Sequence, residues 1–151
     1  MSTVPESDER GYTVFHEDEK GLFVYDYFIK GFFKNAGNIL KDDLKIKNLR
    51  SKISDLLFVF PRQIYFKQKK ADGVLERSLR AMTPLGPRTS VAKSDYLIIG
   101  TELEFDVHII NNGKEELKDD IIAKLLEYGQ YQGLGQFRNG GYGRFEIVSI
   151  K

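Results

Sequence analysis

Apolar and polar residues alternate most cleanly over residues 102–110. Leu103, Phe105, Val107 and Ile109 fall on one side, and Glu102, Glu104, Asp106 and His108 on the other. A period of two is that of a half-buried strand. A short, mainly aromatic and β-branched run over residues 22–28 predicts a buried strand. Ile29, Phe32, Phe33, Ala36, Ile39 and Leu40 then recur at helical spacing, which predicts a helix over residues 29–40. Gly31 and Gly37 interrupt it, each at a cost of about 1 kcal/mol relative to alanine, so Gly31 points to close packing or a bent entry. A second helix is predicted over residues 43–57. Ile46, Leu49, Ile53, Leu56 and Leu57 line one side, and Lys45, Lys47, Arg50 and Lys52 the other. It stops before Pro61, because the residue ahead of a proline resists helical geometry.

Residues 62–69 and 74–82 read as a β-hairpin about the Ala71–Asp72–Gly73 turn. Two prolines and a glycine mark residues 83–88 as a loop, followed by a short strand over residues 96–99. Asn111, Asn112 and Gly113 turn the chain into a third helix over residues 115–128, whose stripe is Leu117, Ile121, Ile122, Leu125 and Leu126. Acids crowd its first turns, as the helix dipole favours, and Gly129 reads as its stop. A last strand is predicted over residues 144–150. Residues 1–20 are polar and acidic with no period, which predicts a flexible tail, leaving residues 21–151 as one domain. The strand, helix, hairpin, helix, strand order implies an α+β, ferredoxin-like and RRM-like sandwich, with an antiparallel sheet and helices on one face.

Composition narrows the chemistry. The 151 residues contain no cysteine and two histidines, His16 and His108. Thiolate catalysis and cysteine zinc sites are excluded, and neither a metal nor a cofactor is expected. With no long apolar run and no apolar leader segment, the sequence predicts a cytoplasmic protein that makes no membrane contact. Net charge is +1, but charge is unevenly placed. Arg62, Lys67, Lys69, Lys70, Arg77, Arg80 and Arg88 face only Asp72 and Glu76 within the same stretch. Such a stretch is either a solvated surface or a local track for a polyanion.

The densest candidate chemistry lies between the third helix and the last strand. Residues 133–143 hold five glycines, with Phe137, Arg138 and Tyr142 among them and Arg144 directly after. Glycine permits positive φ and close backbone approach. Arginine adds a fixed fork of donors, and aromatic rings can stack bases. The residues alone leave two readings open, a glycine-rich turn or a phosphate-binding loop. No Walker-type phosphate loop is present, and the glycines follow a helix rather than open one. Lys30 and Lys34 share one helical face, where solubility is a sufficient reason for them.

The pattern Gly133–Leu134–Gly135, five residues including Arg138, then Gly141–Tyr142–Gly143 before a terminal strand resembles the signature loop of the RAMP superfamily of CRISPR-associated RNA-binding proteins. Ile29–Lys30–Gly31–Phe32–Phe33–Lys34 is similar to that family's opening of its first helix. The run from Arg80 through Pro84 and Gly86–Pro87–Arg88 to Ile99–Gly100–Thr101–Glu102–Leu103–Glu104–Phe105 is similar to a segment of its backbone subunits. The resemblance implies an RRM-like fold, an RNA ligand and side-by-side assembly along it. It implies RNA contacts from Gly133, Gly135, Arg138, Gly141 and Gly143, and from Lys30 and Lys34. The chain is short for such a subunit, and its sequence displays no long insertion to serve as a thumb. It therefore resembles a stand-alone member, of the kind a phage or mobile element encodes.

Three functions follow as expectations. The first is a non-catalytic protein that binds single-stranded RNA or another single-stranded nucleic acid. Its binding set is Lys30, Lys34, Arg62, Lys67, Arg77, Arg80, Arg88, Gly133, Gly135, Phe137, Arg138, Gly141, Tyr142, Gly143 and Arg144. The second is an inhibitor or accessory that binds a CRISPR effector complex by resembling its subunits, with RAMP-type subunits or copies of itself as partners. The third is a metal-independent ribonuclease, which needs a group titrating near neutrality. Only His16 and His108 qualify, and neither has an evident catalytic partner.

Overall fold

A computed structural model describes residues 12–110, 117–135 and 138–151. The chain is α+β, with three helices and mainly antiparallel strand pairing among the described residues. It divides into two compact units. One comprises the described part of Met1–Val24 together with Gln63–Glu104; the other comprises Tyr25–Arg62 and the described part of Phe105–Lys151.

Among its described residues the first unit holds strands and no helix. β1 (Tyr12–Thr13) and β2 (His16–Asp18) lie where a tail was expected, and residues 1–11 of that tail lie outside the described residues. β2 gains its ladder from β3 (Gly21–Tyr25), with His16 opposite Phe23 and their rings stacked at 5.6 Å. Leu22, Phe23 and Val24 are buried, as a continuous apolar run predicts. The tyrosine hydroxyl of Tyr65 donates to Asp18, tying the end of β2 to the strand on the far side of β3.

In the second unit, α1 (Asp26–Leu40) buries Ile29, Phe32, Phe33 and Ala36. α2 (Leu49–Leu56) is shorter than the apolar period suggested. Lys45 and Asn48 sit at φ 56° and 57°, a left-handed geometry that interrupts a helix. The aromatic and β-branched residues that follow form β4 (Leu57–Phe60), not a helix end.

The predicted hairpin is corrected. β5 (Gln63–Tyr65) joins β3 rather than turning back at Asp72–Gly73. β6 (Gly73–Thr83) instead pairs with β7 (Gly86–Tyr96) across a two-residue loop at Pro84–Leu85. The 83–88 loop signal thus marks a hairpin tip, and the strand placed at 96–99 ends at Tyr96. β1 runs parallel to β7, giving the order β1-β7-β6.

β8 (Asp106–Ile109) pairs antiparallel with β4 and keeps the expected alternation. α3 (Asp119–Gln132) starts after residues that, with the 111–113 turn, lie outside the described ones. It runs through Gly129 and stops at Gly133 (φ 81°). Gly129 is a packing position, because a Cβ there would overlap the Phe32 ring. Gly37 plays the same part toward Leu49 and Ile53 of α2. The expected last strand has period-two burial, with Phe145 and Ile147 half-buried, but no described strand pairs with it. Its face rests on Phe32, whose ring lies 5.8 Å from that of Phe145, and the amide of Ile147 donates to the Gln130 side chain at 3.0 Å.

Two predictions follow from this packing. Gly129→Ala should lower the urea unfolding midpoint, because overpacking costs about 1–3 kcal/mol and exceeds the helix-propensity gain. Gly31→Ala, where a Cβ meets nothing within 4 Å, should raise it. Separately, the Tyr65 hydroxyl, with help from the Lys20 and Gly21 amides, holds the Asp18 carboxyl below its ordinary value. A carboxyl depressed in the folded state stabilises above its unfolded pKa of about 4 and loses that contribution as pH falls through the lowered value. Tyr65→Phe should bring the Asp18 titration, followed by carboxyl NMR, back up toward the ordinary range.

Candidate nucleic-acid interface

The glycine loop begins as α3 ends. The amide of Gly133 donates to the Gly129 carbonyl at 2.7 Å, closing the helix. The amide of Leu134 then donates to the Gly143 carbonyl at 2.9 Å, so the two G-x-G halves lie backbone to backbone. Gly133, Gly135, Gly141 and Gly143 all take positive φ, between 81° and 85°. Between the halves, Arg138–Gly140 forms a 3₁₀ turn closed by the Gly141 amide on the Arg138 carbonyl at 2.9 Å. Two of these glycines are required twice over. A Cβ on Gly143 would overlap the Leu134 carbonyl, and one on Gly133 would press on the Gly143 backbone at 3.0 Å. Gly135 and Gly141 have room, so their φ alone selects glycine.

Beside this loop is an open groove of about 310 Å³, lined by Phe28, Gly31, Phe32 and Asn35 of α1, by Arg50 of α2, and by Gly133, Leu134, Gly135 and Arg138. Two arginines and no carboxylate line it. Its volume is near the lower end for ligand sites. Gly31 is exposed, and no neighbour requires its missing side chain. The glycine therefore leaves the groove floor at backbone level.

Of the expected binding set, Gly31's neighbours Lys30 and Lys34 lie on α1 but do not line the groove. Lys30 places its ammonium 4.6 Å from the Phe58 ring centre. Lys34 is half-buried. Gly133, Gly135 and Arg138 line the groove; Gly141, Tyr142, Gly143 and Arg144 belong to the same loop and are exposed. Phe137 lies outside the described residues. Arg62 is already engaged. It pairs with Asp26 at 2.6 Å and lies 5.0 and 5.4 Å from the Tyr25 and Tyr27 rings, fixing the entry to α1. Lys67 pairs with Glu102 at 2.5 Å, and that carboxylate raises its pKa. Arg77, half-buried, and Arg80 and Arg88, exposed, belong to the β6–β7 hairpin of the other unit.

Arg50 was missed by sequence reasoning. It read as one more cation on the polar side of a helix, and nothing in its spacing separates it from Lys47 or Lys52. His16 and His108 are exposed, and each packs on an aromatic ring, His108 at 4.7 Å from Phe60. Among the described residues no group of three or more His, Cys, Asp or Glu is placed to hold a metal, and no helix is long and apolar enough to cross a membrane.

No family model, curated protein or solved structure matches the chain. The physical geometry of the loop and groove therefore carries the functional argument.

The loop closure is testable by substitution. Gly143→Ala forces a left-handed alanine, at about 1–2 kcal/mol, and a backbone overlap that no rotamer relieves. It should lower stability and speed exchange of the Leu134 amide, read by hydrogen exchange. Gly141→Ala meets only the backbone cost and should leave that amide protected.

Proposed function

We propose that the chain is a non-catalytic protein that binds single-stranded nucleic acid, with RNA as its ligand. The observation that carries this reading is the acid-free groove between α1 and the glycine loop, with Arg50 and Arg138 on its walls and Gly31 on its floor. A phosphate held between two guanidinium groups gains charge-assisted, fork-shaped hydrogen bonds. Exposed loop residues Gly141, Tyr142 and Arg144 would continue the contact, the ring by stacking a base. Neither arginine has a carboxylate partner among the described residues, so binding need not first break an ion pair.

In this reading the protein is of RAMP type. Its core is the ferredoxin-like arrangement in which β4 and β8 form the sheet and α1 and α3 the helical layer. Its place is the cytoplasm, and it assembles side by side along RNA. What supports this is the G-x-G, five residues, G-x-G spacing and the four positive-φ glycines that the spacing delivers. The β6–β7 hairpin, with Arg80 and Arg88 exposed, gives the other unit its own basic surface.

The test is a binding titration with a single-stranded RNA at two salt concentrations. Affinity should fall steeply with salt, with a log–log slope of about −0.7 per phosphate contact. Arg138→Ala and Arg50→Ala should each weaken binding and shallow that slope by roughly one contact. Gly31→Leu should fill the groove and weaken binding about tenfold or more without lowering the unfolding midpoint. Absence of measurable affinity at low salt would overturn the reading.

A further inference from the structure

β6 is the edge of its sheet. Among the described residues its outer side pairs with no strand. Eleven consecutive residue pairs join it to β7 with no bulge, and β6 contains no proline. It therefore lacks two of the devices that blunt an edge, a bulge and a proline, and its charges, Glu76, Arg77 and Arg80, are of both signs. The two-residue loop makes Thr83 and Gly86 a hydrogen-bonded pair, and Pro87, with no N–H to give, stands opposite Met82 in the next, non-bonded pair. The pattern then alternates. It leaves the N–H and C=O of Val74, Glu76, Ser78, Arg80 and Met82 pointing off the outer edge.

Those same five residues carry exposed side chains on one face of the hairpin, Val74 at 46% and Met82 at 84%. Their order reads the same, chemically, from both ends: apolar, charged, serine, oppositely charged, apolar. If a second copy is laid antiparallel about Ser78, Val74 meets Met82, Glu76 meets Arg80, and Ser78 meets itself. Each charge finds its opposite and each apolar group another. Moving the register by one permitted step sets Val74 against Arg80, or Met82 against Glu76. Only the register centred on Ser78 satisfies both kinds of pair. Opposite charges and apolar neighbours across strands each stabilise a sheet, and like charges there destabilise it.

We propose that the outer edge of β6 is a homodimer interface, in which two copies of this chain join their sheets antiparallel about a two-fold axis at Ser78. The same surface serves both partners, so the contact closes at two copies rather than growing into a filament. Glu76 also reaches Lys93 of its own hairpin at 3.7 Å, a weak enough contact to be shared with a partner's Arg80. The proposal stands independently of nucleic-acid binding.

The experiment is light scattering on the nuclease-treated full chain, so that no polymer bridges the copies. Wild type should weigh twice the 17.4 kDa of one chain. Ser78→Pro removes an outward donor while sparing every bond to β7, and should yield monomer with unchanged secondary structure. Arg80→Glu and Glu76→Arg should each be monomeric alone and form a dimer when mixed. The natural chain has no cysteine, so Ser78→Cys supplies a single thiol. Its Cα atoms across the pair would be about 5.5 Å apart, within disulfide range. It should cross-link to itself on oxidation, whereas Val74→Cys, about 27 Å from its copy, should not. A monomeric wild type, a dimeric Ser78→Pro, or failure of the mixed charge variants to associate would each overturn the proposal.

Discussion

The ring of Phe32 occupies the space that a side chain at position 129 would need. That contact brings α1 and α3 together more closely than two helices with ordinary residues at the crossing. Because α3 ends four residues later, the same contact decides where the glycine loop begins. The loop comes to lie beside Gly31, the residue before Phe32, and Asn35, about one turn after it, and a groove results. Phe32 also carries the ring of Phe145, so the segment after the loop returns to the helix it left. A single aromatic side chain thus spaces the helices, anchors the chain beyond the loop and lines the candidate site. Truncating such a side chain typically costs about 3–5 kcal/mol, and here the groove would go with it.

The glycines divide by cause, and the division isolates one that packing does not require. Gly37 and Gly129 make room for Ile53, Leu49 and Phe32. Gly133 and Gly143 let two backbones meet, and Gly135 and Gly141 hold a left-handed turn. Stability accounts for all six. It does not account for Gly31, which lies inside a helix, is exposed, has no crowding neighbour and weakens the helix by about 1 kcal/mol. A residue that folding disfavours and packing does not require is most simply explained by what must reach the surface there. Its position on the groove floor gives that explanation a place.

Local periodicity was legible where burial has one side. The strand at Val107 and Ile109, the stripe of α1 from Ile29 through Ala36 and the alternation of Phe145 and Ile147 all follow their sequence pattern, whereas Ile39, at the end of that stripe, is exposed. What the pattern could not carry was pairing. Asp72–Gly73 is a strong turn signal, yet Gly73 opens a strand and the turn forms at Pro84–Leu85, which joins two segments of equal length and compatible register. The C-terminal segment has the right period and no ladder, since period reports one packed face and not a bonded neighbour. Gly129 was read as a stop because a glycine near a helix end serves either as a cap or as a notch. Only the partner's ring distinguishes the two. In the candidate site, the glycine spacing was legible because φ is a local property. Arg50 was not, because its role depends on which helix face meets the loop.

Charge completes the argument. The whole chain is nearly neutral, and counting its basic residues says little about a ligand. What matters is which cations are already answered. Arg62 holds Asp26 and lies against two tyrosine rings, and Lys67 holds Glu102. Exposed pairs of this kind contribute at most about 1 kcal/mol to stability, but a polyanion would still have to displace the carboxylate to use them. Arg50 and Arg138 face a groove with no acid on its walls. A basic stretch in sequence therefore overstates the unpaired charge at Arg62 and Lys67 and says nothing of Arg50. The field that a phosphate would meet in the groove is set by its uncompensated cations, Arg50 and Arg138, which stand where the backbone is barest.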